Sequence, residues 1–235
     1  LIVLLTAIFT FGILISKSDQ MSPKNVYVSS DKSEILSVPL SNEEQKKVLT
    51  VVDNDTQIPK DYKLDLGRFD NIECDKMLIN DLSSMICKAS QEGINLRLNK
   101  GYIDKSEQDM MYNEKVCDIM DKKSYTKVRA GVEARKLIAP GGYSEYQTGL
   151  LINFELDSNA SDPTLTKEYM WLNKNAIDYG FIIRYNKDKE KNTGMNFDPS
   201  CYRYVGKENA KRMRAMNMCL EEYVDYIASQ SFSLA

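Results

Sequence analysis

Apolar residues recur along this chain at two spacings, and the changes of spacing mark the elements. From Cys74 to Glu92, Leu78, Leu82, Met85 and Ala89 fall four, three and four residues apart, with Ile79 and Ile86 widening the stripe. That period predicts an amphipathic helix, and Gly93 is suited to end it. From Ile94 to Leu98 the pattern alternates, apolar at Ile94, Leu96 and Leu98 and polar at Asn95 and Arg97, which predicts a half-buried strand. Asp104 followed by Glu107 has the form of a capping box and predicts a helix to about Lys123, with a second helical stretch over Tyr125–Ile138. Pro140, Gly141 and Gly142 break the chain. A polar run, Tyr143 to Thr148, then leads into an apolar one, Leu150–Phe154, that reads as a covered strand. Further on, Thr166 caps a helix ended by Gly180, Phe181–Tyr185 and Arg203–Val205 read as strands, and Lys207 begins a helix to about Asn217. A short helix with Leu220, Tyr223, Val224 and Ile227 follows, and Ser229–Ala235 is expected to fray.

The first sixteen residues, Leu1–Ser16, carry no charge. A membrane span needs about 20 apolar residues, and a few preceding ones would complete it. A cleaved signal peptide and a buried core helix are the competing readings. The poor cleavage site around Ser16, Lys17 and Ser18 favours a membrane-anchor helix. Residues 17–48 are then expected to form a flexible tether, and 49–228 the folded domain.

The chain has 235 residues, 43% of them hydrophobic, which is enough for one well-buried domain with an appendage. Its net charge of −3 argues against a general nucleic-acid binder. It contains no histidine, and so lacks the commonest zinc ligand and the commonest general base. The five cysteines are Cys74, Cys87, Cys117, Cys201 and Cys219. None has the spacing of a metal knuckle, and most are expected to be small buried apolar residues.

Four stretches, in order, resemble the VanY-type D-alanyl-D-alanine carboxypeptidases. Val51–Leu66 resembles the family's entry segment, and Gly101, Tyr102 and Gln108 match its Ser-Gly-Tyr-Arg-Ser region. Ser144 and Gly149 match the motif Ser-x-His-x-x-Gly-x-x-x-Asp, and Pro199, Arg203, Tyr204, Val205 and Gly206 match Glu-Pro-Trp-His-x-Arg-Tyr-Val-Gly. Trp171, Leu172, Tyr179, Gly180, Phe181, Arg184 and Tyr185 match a framework piece between the last two. The resemblance implies an α+β fold, a small antiparallel sheet flanked by helices as in the Hedgehog/DD-peptidase group. It also implies a zinc hydrolase acting on peptidoglycan stem peptides.

This chain departs from that pattern at the chemical positions. The family's zinc ligands, two His and one Asp, correspond to Tyr146, Cys201 and Asn153. Its general base, a Glu, corresponds to Asp198, and its carboxylate-binding Arg to Ile103. Lys100 could offer a point charge, but from a displaced position. No catalytic residue is intact and no metal or other cofactor is expected. Tyr146, Asn153, Asp198 and Cys201 should still converge, with the Tyr146 hydroxyl donating to Asp198 or Asn153 and the Asn153 amide to Asp198. Gln108, Ser144, Gln147 and Thr148 are candidate substrate-binding residues. Two readings stay open: a membrane-anchored, extracytoplasmic pseudo-enzyme binding cell-wall peptide or a cell-envelope protein, or an active hydrolase with altered metal or Cys201 thiol chemistry.

Overall fold

The computed structural model describes residues 40–157 and 159–232. The expected anchor at 1–16 and residues 17–39 of the expected tether lie outside these residues. Ser41 caps the first helix, α1 (Asn42–Val48), in a reciprocal capping box with Glu44. The last residues assigned to the tether are therefore helical, and Val48 is fully buried in the main core. Ser-x-x-Glu at 41–44 is the sequence signal for this start, and a seven-residue helix is too short to show a sustained period.

A hairpin follows that the apolar pattern does not predict, β1 (Leu66–Phe69) and β2 (Ile72–Asp75). Its strands are four residues each, too short for alternation to register. Asp75 ends β2 and caps α2 (Lys76–Gln91), so the helix begins after Cys74 rather than at it. Leu78, Leu82, Met85 and Ala89 are its buried face, as their spacing predicts. Gly93 adopts φ +78°, and the Ile94 and Gly93 amides bond back to the Ala89 and Ser90 carbonyls. That is a Schellman closure. It ties Ile94 to the helix end, which is why β3 spans Arg97–Lys100 and not 94–98.

Asp104 accepts from the Glu107 amide and starts α3 (Lys105–Lys123), and Thr126 caps α4 (Lys127–Arg135). After the Pro140 break, a single 3-10 turn over Glu145–Thr148 delivers the chain into β4 (Leu151–Glu155). Thr166 caps α5 (Lys167–Asn175), a 3-10 turn ends at Gly180, and β5 spans Phe181–Tyr185. A short helix α6 (Glu190–Thr193) precedes β6 (Asp198–Tyr204), longer than the expected strand at 203–205 because it includes the former base position. Helices α7 (Lys207–Met216) and α8 (Leu220–Phe232) complete the described residues; α8 extends through part of the segment expected to fray.

Strands β3 to β6 form one antiparallel sheet in the order β3-β4-β6-β5. One face, carrying Leu98, Ile152, Phe154, Tyr202 and Tyr204, packs with α2 in the main core. On the other face Leu151 and Cys201 cluster with Tyr185 and half-buried Tyr146. The period-2 alternation of a strand makes this division, and it aims Asn153 and Cys201 away from the core.

A buried charge node clamps the Glu145–Thr148 turn to the sheet. Glu145 and the guanidinium side chains of Arg184 and Arg203 are essentially inaccessible to solvent. One Glu145 oxygen accepts from Arg184 Nε at 2.8 Å and the other from Arg203. Arg184 also binds Glu221 of α8 at 2.6 and 3.1 Å, and Arg203 reaches the Val48 and Thr50 carbonyls, both at 3.2 Å. Removing one partner from a buried pair leaves an uncompensated charge, which costs about 3–5 kcal/mol. Glu145→Ala is therefore expected to lower unfolding free energy by about that amount in urea titrations. Glu155→Ala, which breaks the exposed Arg97 pair, should cost less than about 1 kcal/mol. Equal losses would mean that the node contributes no more than a surface pair.

Candidate functional site

Antiparallel register places Asn153 opposite Cys201 on β6 and opposite Lys100 on β3. The Glu145–Thr148 turn brings Tyr146 down over the same row. Tyr146, Asn153, Asp198 and Cys201 thus meet in one cluster, as their sequence frames imply.

Their connections differ from the expected ones. The Tyr146 hydroxyl lies 3.5 Å from the Cys201 sulfur rather than on Asp198 or Asn153. The Asn153 amide donates to Ser200 Oγ at 2.6 Å and to Cys201 Sγ at 3.3 Å. Ser200 Oγ and Cys201 Sγ in turn donate to the two oxygens of Asp198, at 2.5 and 3.2 Å. Asn99 Nδ2 donates to Asn153 Oδ1 at 2.7 Å and fixes that amide with its hydrogens facing the cluster. Asn153 therefore reaches Asp198 through Ser200 and Cys201, and every donor in the chain leads toward one carboxylate.

Ser200 and Asn99 are the members that sequence reasoning missed. Ser200 stands at the position of the family's Trp, and a short hydroxyl two residues from an Asp is a common local hydrogen-bonding pair. Asn99 lay beyond the expected end of its strand. A register shift between Leu98 and Lys100 inserts it into β3, and no local pattern marks such a bulge.

Electrostatics keep the thiol and the phenol protonated. Burial, followed by the neighbouring Asp198, pushes the Cys201 thiol up to about 12. Burial and the adjacent Cys201 hold the Tyr146 phenol well above its ordinary value. Near neutral pH neither supplies an anionic donor.

The donor set does not fit the family's zinc. Zinc requires ligands deprotonated at low cost and with lone pairs aimed at the metal. Here the thiol and phenol retain their protons, and Asn153 presents N–H groups toward Cys201. Among the described residues no three Cys, Asp or Glu side chains converge on a point suited to a metal ion.

The four candidate substrate-binding residues separate into two pairs. Gln108 and Ser144 line a cleft of about 310 Å³ that also borders Tyr146, Asp198 and Cys201, at the lower end of the range for small-ligand pockets. Gln147 and Thr148 do not line it. The Gln147 side-chain oxygen, Oε1, accepts from the Gly142 amide, and the Thr148 hydroxyl donates to the Glu145 carbonyl and accepts from the Leu150 amide. Both hold the turn in shape. Ile103, at the Arg position, is 5% exposed and buried. A wider polar groove of about 870 Å³ opens beyond Asn99 and Asn153, bordered by Arg97, Glu155 and Asp157.

Comparison with known proteins gives a consistent result. The profile of the VanY D-alanyl-D-alanine carboxypeptidase family matches residues 71–207. A D-alanyl-D-alanine carboxypeptidase of Enterococcus faecalis (strain ATCC 700802 / V583) is 34% identical over 184 residues, 78% of this chain and 68% of that protein. A second, from Enterococcus faecium, is 32% identical over 68% of this chain, which spans only 46% of its length. Among solved structures, VanYB in complex with D-alanine-D-alanine superposes with a TM-score of 0.70 at 32% identity, over 76% of this chain and 97% of that one. The family profile, the relatives and the antiparallel sheet flanked by helices agree: this chain belongs to the VanY D-alanyl-D-alanine carboxypeptidase family.

Proposed function

We propose that this chain is a non-hydrolytic member of its family. It binds the D-alanyl-D-alanine end of cell-wall stem peptides at the outer face of a membrane, held there by its apolar first sixteen residues. The observation that carries the reading is the closed hydrogen-bonded cluster at the former metal positions. Tyr146, Asn153, Cys201 and Asp198 satisfy one another, with Ser200 and Asn99 completing the set. Hydrolysis in this geometry would need a water activated by metal or base. Asp198 already accepts from three donors, Ser200 N, Ser200 Oγ and Cys201 Sγ, so most of its lone pairs are taken by the chain itself.

The thiol is no better placed. Cysteine attacks as thiolate, and Cys201 is buried with its proton directed at Asp198. A pKa raised to about 12 by burial leaves the thiol protonated at pH 7. The cleft itself persists between the cluster and Gln108, and a relative of the same fold binds D-alanine-D-alanine. Retention of the cleft without the chemistry supports binding as the function.

Three measurements test this. The full chain, in detergent with or without added zinc, should release no D-alanine from a pentapeptide ending in D-alanyl-D-alanine. Release that a chelator abolishes would sink the proposal. Iodoacetamide at pH 8 should label exposed Cys87 and Cys117 in the native protein and leave Cys201 unmodified by mass spectrometry; rapid native labelling of Cys201, with turnover lost in Cys201→Ala, would favour thiol chemistry instead. Zinc should not raise the melting temperature of the wild type. The triple variant Tyr146→His, Asn153→Asp, Cys201→His should regain zinc binding, worth about 2.7 kcal/mol of stability at a hundredfold excess over Kd.

A further inference from the structure

Helices α3 and α4 form a hairpin that packs through small residues. Ala130 and Ala134 of α4 are buried with Val116 and Ile119 of α3, and the Tyr112 hydroxyl donates to the Gly131 carbonyl at 3.1 Å. Ser124 turns the chain between the helices with φ +53°. This packing sends the larger apolar side chains of α4 outward. Val128 and Val132 are four residues apart and share a face, and Val128 lies roughly 200° round the helix from Ala130. Val128 is 81% exposed and Val132 56%. An amphipathic helix ordinarily buries its larger apolar residues; here alanine is inside and valine outside.

The valines stand among cations. Residues 122–136 carry six, Lys122, Lys123, Lys127, Arg129, Arg135 and Lys136, and one carboxylate, Glu133, in a chain of net charge −3. Lys122 is paired with Asp118 at 2.7 Å and Lys136 with Glu133 at 3.2 Å. Lys123, Lys127, Arg129 and Arg135 have no carboxylate partner among the described residues. Lys123 and Arg129 instead flank the Tyr125 ring, 5.7 and 3.8 Å from its centroid. Two unneutralised charges are thereby held at the end of the hairpin around one aromatic side chain.

Single exposed apolar residues are ordinary. Valines bracketed by unpaired cations and a tyrosine have the composition of a surface that rests on an anionic bilayer. Cationic groups meet lipid phosphate, the apolar side chains enter the acyl boundary, and the aromatic ring suits headgroup level. Val128 projects from the helix, and fluid acyl chains accept a projecting side chain without a complementary pocket. No helix among the described residues is long and apolar enough to cross a membrane, so such a contact lies on the surface.

We propose that the tip of the α3–α4 hairpin docks on a membrane bearing anionic phospholipid. Lys123, Lys127 and Arg129 meet the phosphates, and Val128 and Val132 enter the acyl boundary. This rests on the membrane placement proposed above and adds the face of the domain that meets the lipid. An apolar anchor raises the local concentration of the patch at the membrane, and the two together hold more firmly than either.

Tryptophan quenching tests it on the full chain in vesicles of brominated phosphatidylcholine, with and without phosphatidylglycerol. The one native tryptophan, Trp171, is 7% exposed and lies in the main core, so the wild type supplies the background. The Val128→Trp variant should be quenched and blue-shifted in the anionic vesicles only. The quenching should vanish in 1 M salt, where the screening length is about 3 Å. Adding Lys123→Gln, Lys127→Gln and Arg129→Gln together should abolish it. Adding Lys63→Gln, Lys174→Gln and Lys211→Gln, which removes the same charge from exposed positions elsewhere, should leave it intact. Flotation with the zwitterionic vesicles reports the anchor separately. Flotation without quenching in either lipid overturns the hairpin contact while the membrane placement stands. Quenching in anionic vesicles without flotation in zwitterionic ones overturns the anchor and supports the hairpin. Quenching that persists in salt or without the three cations overturns docking by charge. An emission shift with soluble poly-L-glutamate and no quenching by vesicles would assign the patch to an acidic macromolecule and overturn the proposal.

Discussion

Glu145 is the residue on which the arrangement of this domain turns. Its carboxylate is withdrawn from water and each oxygen is taken by a different arginine, Arg184 from β5 and Arg203 from β6. Those arginines extend the node to Glu221 in α8 and to the Val48 and Thr50 carbonyls at and just past the end of α1. Elements far apart in the chain thus share one electrostatic centre. Burying ions is costly, and a hydrophobic cluster of the same volume could be as stable. The node brings definition of position: through Glu145 it ties the 145–148 turn to Arg184 of β5 and Arg203 of β6. Tyr146 follows Glu145 directly, so the clamp also sets where its ring meets Cys201.

At the positions that correspond to the family's zinc motif, side-chain hydrogen bonds join the strands. A zinc ion would draw β4, β6 and the turn together through ligand bonds. Here hydrogen bonds span the same elements. Asn153 links β4 to Ser200 and Cys201 on β6, and Tyr146 links the turn to Cys201. The register of β4 on β6 comes from backbone pairing and apolar alternation rather than from the site. The fold therefore does not depend on which polar residues stand at these positions, provided that they satisfy one another, because an unpaired donor there would be costly.

The contrast between the two clusters is informative. The Glu145 node is ionic and fully enclosed, whereas the cluster at Asp198 holds one carboxylate fed by uncharged donors at the wall of a cleft. The first fixes elements, and the second leaves one side open to a ligand. Gln108 borders that cleft, while Gln147 and Thr148, equally polar and close in sequence to Tyr146, are consumed by the turn.

The sequence by itself determined the elements whose cause is local. The stripe from Leu78 to Ala89, the caps at Asp104 and Thr166, the closure at Gly93 and the strand Phe181–Tyr185 follow from side-chain period and from groups a few residues apart. The motif frames also determined that Tyr146, Asn153, Asp198 and Cys201 would meet, because spacing along two paired strands is retained when residue types change. Only the tertiary structure decided the rest. The bulge that inserts Asn99 and turns Lys100 toward the site depends on how β3 pairs with β4, and the hairpin of β1 and β2 on strands too short to show a period. Which of the polar residues face the cleft, and where each hydrogen bond goes, depends on donors and acceptors brought together from distant parts of the chain. A hydrogen bond is satisfied by whatever partner lies within about 3 Å, and sequence order carries no record of that distance.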